Sequence, residues 1–261
     1  MLRALNTAAT GMVAQQTNVD VIANNLANVS TTGFRRSRVE FHDLIYQTVR
    51  TAGGTTGNGQ ALPTGIQLGH GARSVSTEFM HNQGALAQTG NALDLAIEGA
   101  GFFRLVTPSG ELVYTRAGNF KADAQGQVVT VDGYLLDPAI NIPNDATSIT
   151  ITPDGTVSVQ LAGQTATQQV GQITLVSFAN PGGLKAIGRG MYMPTDGSGG
   201  PLEAVPGDQG LGTIGQGMLE SSNVEVVNEM VDLIASQRAY EVNQRVVQAA
   251  DDMLRKATEG L

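Results

Sequence analysis

Residues 1–29 read MLRALNTAATGMVAQQTNVDVIANNLANV. The stretch contains no proline, and Leu5, Met12, Val19 and Leu26 recur at intervals of seven residues. A seven-residue apolar repeat places these side chains along one side of an α-helix and is typical of helices that pair with other helices. The sequence therefore predicts a helix over 1–29 whose apolar stripe needs a partner.

The other end of the chain repeats this design over residues 221–261. Val226, Leu233, Tyr240 and Val247 are again seven residues apart. A serine at 221 or 222, followed by a glutamate at 225, is a typical helix start, and the glycine at 260 is a typical stop. We expect the two terminal helices to pair as a coiled coil, and we take the eight apolar residues of both stripes as the candidate assembly interface.

The middle of the chain shows a period of two instead. Apolar and polar residues alternate at 93–97 and 112–116, and short runs of this kind are separated by turn formers such as Pro-Ser-Gly at 108–110. Alternation with frequent tight turns is typical of antiparallel strands. The predicted fold class is therefore α+β, with a central antiparallel all-β domain over 72–187.

Two long glycine-rich stretches, 51–71 and 188–217, fit neither pattern. Connections of this length are uncommon inside a compact domain. We expect an extended glycine-rich linker over 30–71 and a glycine-rich return linker over 188–220, which together join the β domain to the terminal helices.

Composition excludes several classes of function. The chain has no cysteine, and its histidines, at 42, 70 and 81, have no carboxylate or imidazole partner at the helical i, i+4 spacing, so no metal site is expected. There is no phosphate-binding loop and no nucleophile-elbow motif, so we expect no cofactor, no catalytic residue and no enzyme. A net charge of -8 without a basic stripe argues against nucleic acid. The sequence has no apolar run that would insert into a membrane, and polar residues interrupt the first segment where a signal peptide needs a continuous apolar core.

One basic cluster, Arg35-Arg36-Ser37-Arg38, follows the first predicted helix. It is either a solvated edge after a turn or a docking patch for an acidic surface. The segment 220–261 carries more acidic than basic residues, so complementary charge between subunits is one way to use the patch.

Several blocks of the sequence resemble the bacterial flagellar rod and hook proteins. The block ANNLAN at 23–28, followed by TGFR at 32–35, resembles their N-terminal signature. Further blocks agree in the same order, namely LDLAIEGAGFF at 93–103, YTRAGNF at 114–120, DGYLLDP at 132–138 and the tail from GMLESSNVEVVNEMVDL at 217–233 to residue 254. The resemblance covers nearly the whole chain.

The resemblance implies a non-enzymatic subunit that polymerises into a helical tube, with the terminal helices as an inner coiled-coil layer and the β domain outside. It also implies export through the flagellar type III apparatus without a cleaved signal peptide, and a rod that crosses the periplasm and transmits torque from motor to hook. The implied partners are further copies of the chain, proximal rod proteins, the hook protein and the rings around the rod.

We interpret the chain as a subunit of the distal part of this rod, since hook proteins carry a larger central insertion. A proximal rod or hook subunit is the alternative within the family. A secreted module that binds cell-wall glycan is the alternative of another class, although the chain has no tryptophan and only five tyrosines to offer a sugar. A cell-wall enzyme ranks below both.

Overall fold

The computed structural model describes residues 2–53, 63–163 and 166–259. It has α+β architecture, with a helix at each end and antiparallel strands between them. The chain divides into two units. Unit 1 contains residues 1–26, 37–78 and 225–261, and unit 2 contains residues 27–36 and 79–224.

Unit 1 contains both α-helices and four strands. The helices are α1 (Leu2–Ala27) and α2 (Val226–Glu259), and the strands are β1 (Ser37–Asp43), β2 (Tyr46–Arg50), β3 (Ile66–Gly69) and β4 (Ala72–Phe79). Strand β1 pairs with β4, and β2 pairs with β3 in antiparallel register, with Tyr46 opposite Gly69. The described part of the predicted linker 30–71 thus contains three strands, of which β2 and β3 pair with each other and β1 pairs with β4 beyond the segment.

Unit 2 contains sixteen strands among the residues that the structure describes. In chain order they are β5 (Leu86–Gln88), β6 (Leu95–Glu98), β7 (Phe102–Val106), β8 (Leu112–Thr115), β9 (Lys121–Ala122), β10 (Val128–Val129), β11 (Leu135–Asp137), β12 (Ala146–Ile151), β13 (Thr156–Leu161), β14 (Thr167–Gln172), β15 (Leu175–Ser177), β16 (Lys185–Gly188), β17 (Met191–Met193), β18 (Leu202–Ala204), β19 (Thr213–Gln216) and β20 (Met218–Glu220). A short 3₁₀ helix, Pro181–Gly183, lies between β15 and β16.

The largest sheet of unit 2 has nine strands. Its order is β16-β17-β8-β7-β11-β10-β9, and β15 pairs with both β7 and β18. A three-stranded sheet, β12-β13-β14, and the pairs β19-β6 and β20-β5 complete the unit. The core is built from the inward-facing side chains of these short strands, with Phe103, Leu105 and Leu175 fully buried at its centre.

The segment predicted as the return linker, 188–220, also lies within unit 2 and supplies four strands, β17 to β20. Its glycines fall mainly in the turns between these strands, so the composition that suggested a long connection reflects frequent tight turns.

The helices differ from the predicted bounds by a few residues. Helix α1 ends at Ala27, and α2 begins at Val226 although the capping pattern placed its start near Ser221. The later start has a physical cause, because Ser221 donates its backbone N–H to the carbonyl of Ala85 and Asn223 donates its own to Phe34. The first bond continues the antiparallel pairing of β20 with β5, so residue 221 still belongs to the paired segment, and α2 begins only beyond the second bond.

Candidate assembly interface

Helices α1 and α2 meet within unit 1 through polar and small residues. Asn18 Nδ2 donates a hydrogen bond to Ser236 Oγ at 2.8 Å. Asn25 Nδ2 donates to Glu229 Oε2 at 3.2 Å. A Cβ added at Gly11 would lie 2.9 Å from Asn243 Nδ2, so the two helices also approach closely at this position.

The predicted stripe of α1 lies beside these contacts. All four of its residues are half-buried, namely Leu5, Met12, Val19 and Leu26. The fully buried apolar side chains of the helix are others: Ala8, Ala14 and Ile22.

The predicted stripe of α2 lies on the same side of the helix as Glu229, Ser236 and Asn243. Leu233 and Val247 are half-buried, whereas Val226 and Tyr240 are exposed at 40% and 39%. Val19 and Tyr240 also line a cavity of about 400 Å³ between α1 and α2, together with Gln16 and Gln237.

A second apolar row runs along α2 on roughly the opposite side, as the period of 3.6 residues requires. Most of its side chains are more than half exposed. We call it the outer row, and it consists of Val227, Met230, Val231, Ile234, Val242, Val246 and Met253. Val227, Met230, Val231 and Ile234 follow one another at three and four residues, and Val227, Met230 and Ile234 are apparent in the sequence as apolar residues that broaden the stripe over its first half. The exposed Arg238 separates them from Val242, Val246 and Met253.

Several polar residues of unit 1 are bonded to one another in its interior. The side chain of Asn25 is bonded to both backbone groups of Ser37 and to Glu229, and all three residues are buried. This cluster connects α1, β1 and α2 inside unit 1.

A buried ion triad lies inside unit 2. Arg35 Nη1 and Arg116 Nε each donate to the Glu220 carboxylate at 2.7 Å, and Gly84 N–H donates to the same carboxylate at 2.8 Å. Burial raises the pKa of Glu220, but the hydrogen bonds and positive charges of the two arginines outweigh burial and hold the pKa below its usual value. Arg116 also donates to the carbonyls of residues 97, 99 and 101.

The basic cluster at 35–38 is therefore neither a solvated edge nor a docking patch as a whole. Arg35 is 1% exposed and neutralised by Glu220 of the same chain, and Ser37 is buried, while Arg38 is exposed and pairs with Glu40. The triad could not be predicted from the sequence, because Arg35 and Arg116 are 185 and 104 residues away from Glu220 along the chain and no local pattern links them.

His81, treated as one of three histidines without a role, lies against an aromatic group. Its ring makes edge contacts with Phe102 and Tyr192, with centroids 5.7 and 5.9 Å away. Burial, together with the positive charge of Arg35, lowers the pKa of His81 to about 4. The ring is therefore neutral at neutral pH.

Two further findings concern the described residues only. No group of three or more histidine, aspartate or glutamate side chains among them is arranged to hold a metal ion. Neither α-helix has the length and hydropathy required to cross a membrane.

Comparison with known proteins adds the family. Residues 5–35 match the family model of flagella basal body rod proteins, 96–159 match the D1 domain of the flagellar hook proteins FlgE/F/G, and 216–259 match the C-terminal region of the basal body rod FlgEFG proteins. These matches cover both helices and much of unit 2.

Proteins described as flagellar basal-body rod protein FlgG resemble the chain over almost its whole length. The protein of Caulobacter vibrioides is 49% identical over 99% of both chains. That of Buchnera aphidicola subsp. Acyrthosiphon pisum is 47% identical over 99% of this chain and 100% of its own. That of Bacillus subtilis is 41% identical over 98% of each.

A helix at each end of the chain with antiparallel strands between them in the sequence, together with these matches, defines a structural protein of the flagellar axis. The chain belongs to the FlgG family of flagellar basal-body rod proteins. Its function is that of a structural subunit of the distal rod in the basal body.

Proposed function

We propose that this rod subunit polymerises with further copies of itself into a helical tube, and that the terminal helices make the inner layer of that tube. The observation that carries the proposal is the outer row of α2. Its first four side chains, Val227, Met230, Val231 and Ile234, are neighbours on one helix face and are each more than half exposed, so they form a surface that water solvates poorly. A neighbouring copy that covers this row gains roughly 1.5 to 3 kcal/mol for each side chain it buries fully.

The same helix would then have two partners. Its inner side, with Leu233, Tyr240 and Val247, faces α1 of the same chain in a coiled-coil pair, and its outer row faces another copy. A contact that uses different surfaces on the two copies does not close on itself and continues as a helix of subunits. This arrangement suits a stiff shaft that transmits torque from motor to hook.

The remaining parts of the proposal follow the family. The rod would cross the periplasm, contact proximal rod proteins, the hook protein and the surrounding rings, and reach its place through the flagellar type III export apparatus without a cleaved signal peptide. Its task is mechanical, so no catalytic residue, cofactor or metal is assigned.

Two neighbouring residues of α2 allow a sharp test. Ile234→Asp places a charge in the outer row, whereas Leu233→Asp places one on the side that faces α1, about 100° around the helix. We expect Ile234→Asp to abolish polymers seen by electron microscopy while unit 2 keeps its fold by circular dichroism. Asn6→Asp, which adds the same charge at an exposed position of α1, is the matched control. Normal polymers from Ile234→Asp would rule out the outer row as a subunit contact.

Leu26→Asp and Leu233→Asp test the paired side of the helices. We expect both to prevent assembly through loss of the helix pair. Normal rods from either variant would contradict the role of the stripes Leu5–Met12–Val19–Leu26 and Val226–Leu233–Tyr240–Val247.

A further inference from the structure

The three contacts between α1 and α2 follow one rule. Gly11 meets Asn243, Asn18 meets Ser236, and Asn25 meets Glu229, so each step of seven residues forward on α1 is a step of seven residues back on α2. The helices are therefore antiparallel, and the contacts lie along one seam. We call these three pairs the rungs.

The apolar stripes alone do not determine how the helices align. Both stripes repeat every seven residues, so a slip of one heptad, about 10 Å along the axis, brings apolar residues opposite apolar residues again. Such a seam has several registers of similar free energy unless something distinguishes them.

The three rungs differ in their chemistry, so the registers no longer have similar free energies. A buried carboxylate, Glu229, meets an amide, and Asn18 meets a hydroxyl. The third rung sets an amide against a glycine, where even a Cβ would come within 2.9 Å of Asn243 Nδ2. A slip of one heptad separates Glu229 from Asn25 and sets Asn243 against a residue other than Gly11. Polar residues in a helix seam are an established way to specify register at some expense in stability.

We propose that the rungs Gly11–Asn243, Asn18–Ser236 and Asn25–Glu229 set the register of the terminal helix pair, and that the apolar stripes supply cohesion without alignment. This inference rests on the proposed pairing of the terminal helices and goes further by assigning its specificity-determining residues. A fixed register gives every subunit of a rod the same helix ends, which a regular lattice requires.

Because the sequence has no cysteine, only cysteines introduced by substitution can form a disulfide in a crosslinking test. Three full-length double variants are compared under mild oxidation: Asn18→Cys with Ser236→Cys on the rung, and Asn18→Cys with Asn243→Cys or with Glu229→Cys one heptad away. A disulfide needs Cα atoms within about 7 Å, so we expect the rung pair to form its intramolecular bond at least about tenfold faster than either displaced pair. Equal rates for rung and displaced pairs would overturn the proposal.

A second step tests whether the polar rungs cause the alignment. Adding Glu229→Leu to the rung pair and to the Asn18–Asn243 pair removes the Asn25–Glu229 rung, which is the one rung that both cysteine pairs retain, and leaves the stripes intact. We expect the rung crosslink to slow by about threefold or more and the displaced crosslink to accelerate. Gln248→Leu, outside the seam, is the control and leaves both rates unchanged. Unchanged rates with Glu229→Leu would overturn the assignment of the rungs.

The outcomes also separate this inference from the proposed tube. A rung crosslink that forms fast in a chain that never polymerises would support the role of the rungs in setting the register and would count against the proposed tube. If polymers form normally while no pair crosslinks, the role of the rungs is overturned and the proposed tube is not.

Discussion

The side chain of Asn25 is paired with both backbone groups of Ser37. Asn25 Nδ2 donates to the Ser37 carbonyl at 2.8 Å, and Asn25 Oδ1 accepts from the Ser37 N–H at 2.9 Å. The amide thus takes the place that a neighbouring strand would have beside the first residue of β1. Since Asn25 belongs to α1, one buried side chain fixes the start of β1 against the helix.

Replacing this amide should loosen β1 specifically. In Asn25→Ala the buried N–H and carbonyl of Ser37 lose their partners, and each unsatisfied group costs about 1 to 3 kcal/mol. We expect faster hydrogen exchange at the Ser37 amide and a lower free energy of unfolding of unit 1. Asn6→Ala, at an exposed position of α1, is the control. Unchanged exchange at Ser37 would show that the Asn25 pairing contributes nothing to the strand.

Gly33 should tolerate no side chain. Its φ is 67°, and an added Cβ would lie 2.7 Å from the backbone nitrogen of Ala117, which has no freedom to rotate away. We expect Gly33→Ala to lower the free energy of unfolding by about 3 kcal/mol or more. Gly133 separates the two causes, because its φ is 83° but nothing lies within 4 Å of its added Cβ. Gly133→Ala should cost only about 1 to 2 kcal/mol, and equal losses in both variants would refute the close-approach argument.

The ion triad should be intolerant of neutralisation. Glu220→Gln leaves Arg35 and Arg116 buried without a counter-charge, and breaking a buried pair in this way costs about 3 to 5 kcal/mol. The control is Glu203→Gln, since Glu203 pairs with Arg104 at the surface and such pairs contribute about 0 to 1 kcal/mol. Urea titration of both variants measures the difference. A loss in Glu220→Gln no larger than that in Glu203→Gln would show that the triad does not stabilise unit 2.

His81 should make the stability of unit 2 depend on pH. The unfolded chain binds a proton at the ordinary pKa of 6.5, whereas the folded ring binds one only near a pKa of about 4. The unfolded state therefore holds more protons between these values, and the free energy of unfolding decreases as the pH falls through this window, by up to about 3 kcal/mol.

Carboxylates also titrate in the lower part of this range, so the prediction concerns a difference between variants. His81→Gln should lose the decrease that His81 causes, whereas His42→Gln, at an exposed position, should keep it. The check is chemical denaturation at pH 7, 5.5 and 4.5, and parallel curves for the wild-type chain and His81→Gln would count against the buried neutral ring.

Much of the architecture could be predicted from local patterns. The seven-residue repeats of Leu5 to Leu26 and of Leu233 to Val247 indicated helices, and alternation around Leu95 and Tyr114 indicated strands, because these periods reflect which side of an element is covered. The helix bounds were displaced where residues such as Ser221 and Asn223 form hydrogen bonds with distant segments.

The buried polar clusters could not be predicted either, because their hydrogen-bond partners are distant along the sequence. Nothing near Arg35 in the sequence indicates that Glu220 neutralises it, and nothing near Asn25 indicates Ser37 or Glu229. The glycine-rich segment 188–220 misled because glycine marks both flexible connections and tight turns, and only strand pairing distinguishes them.

The central claim is that a second copy of the chain covers the outer row of α2. The most direct measurement is a helical reconstruction, by electron cryomicroscopy, of polymers grown from the full-length chain. The account predicts that Val227, Val231 and Ile234, which are 73%, 59% and 54% exposed in the single chain, are buried against a neighbouring subunit. A reconstruction in which these side chains still face solvent, with the subunits joined through other surfaces, would contradict it.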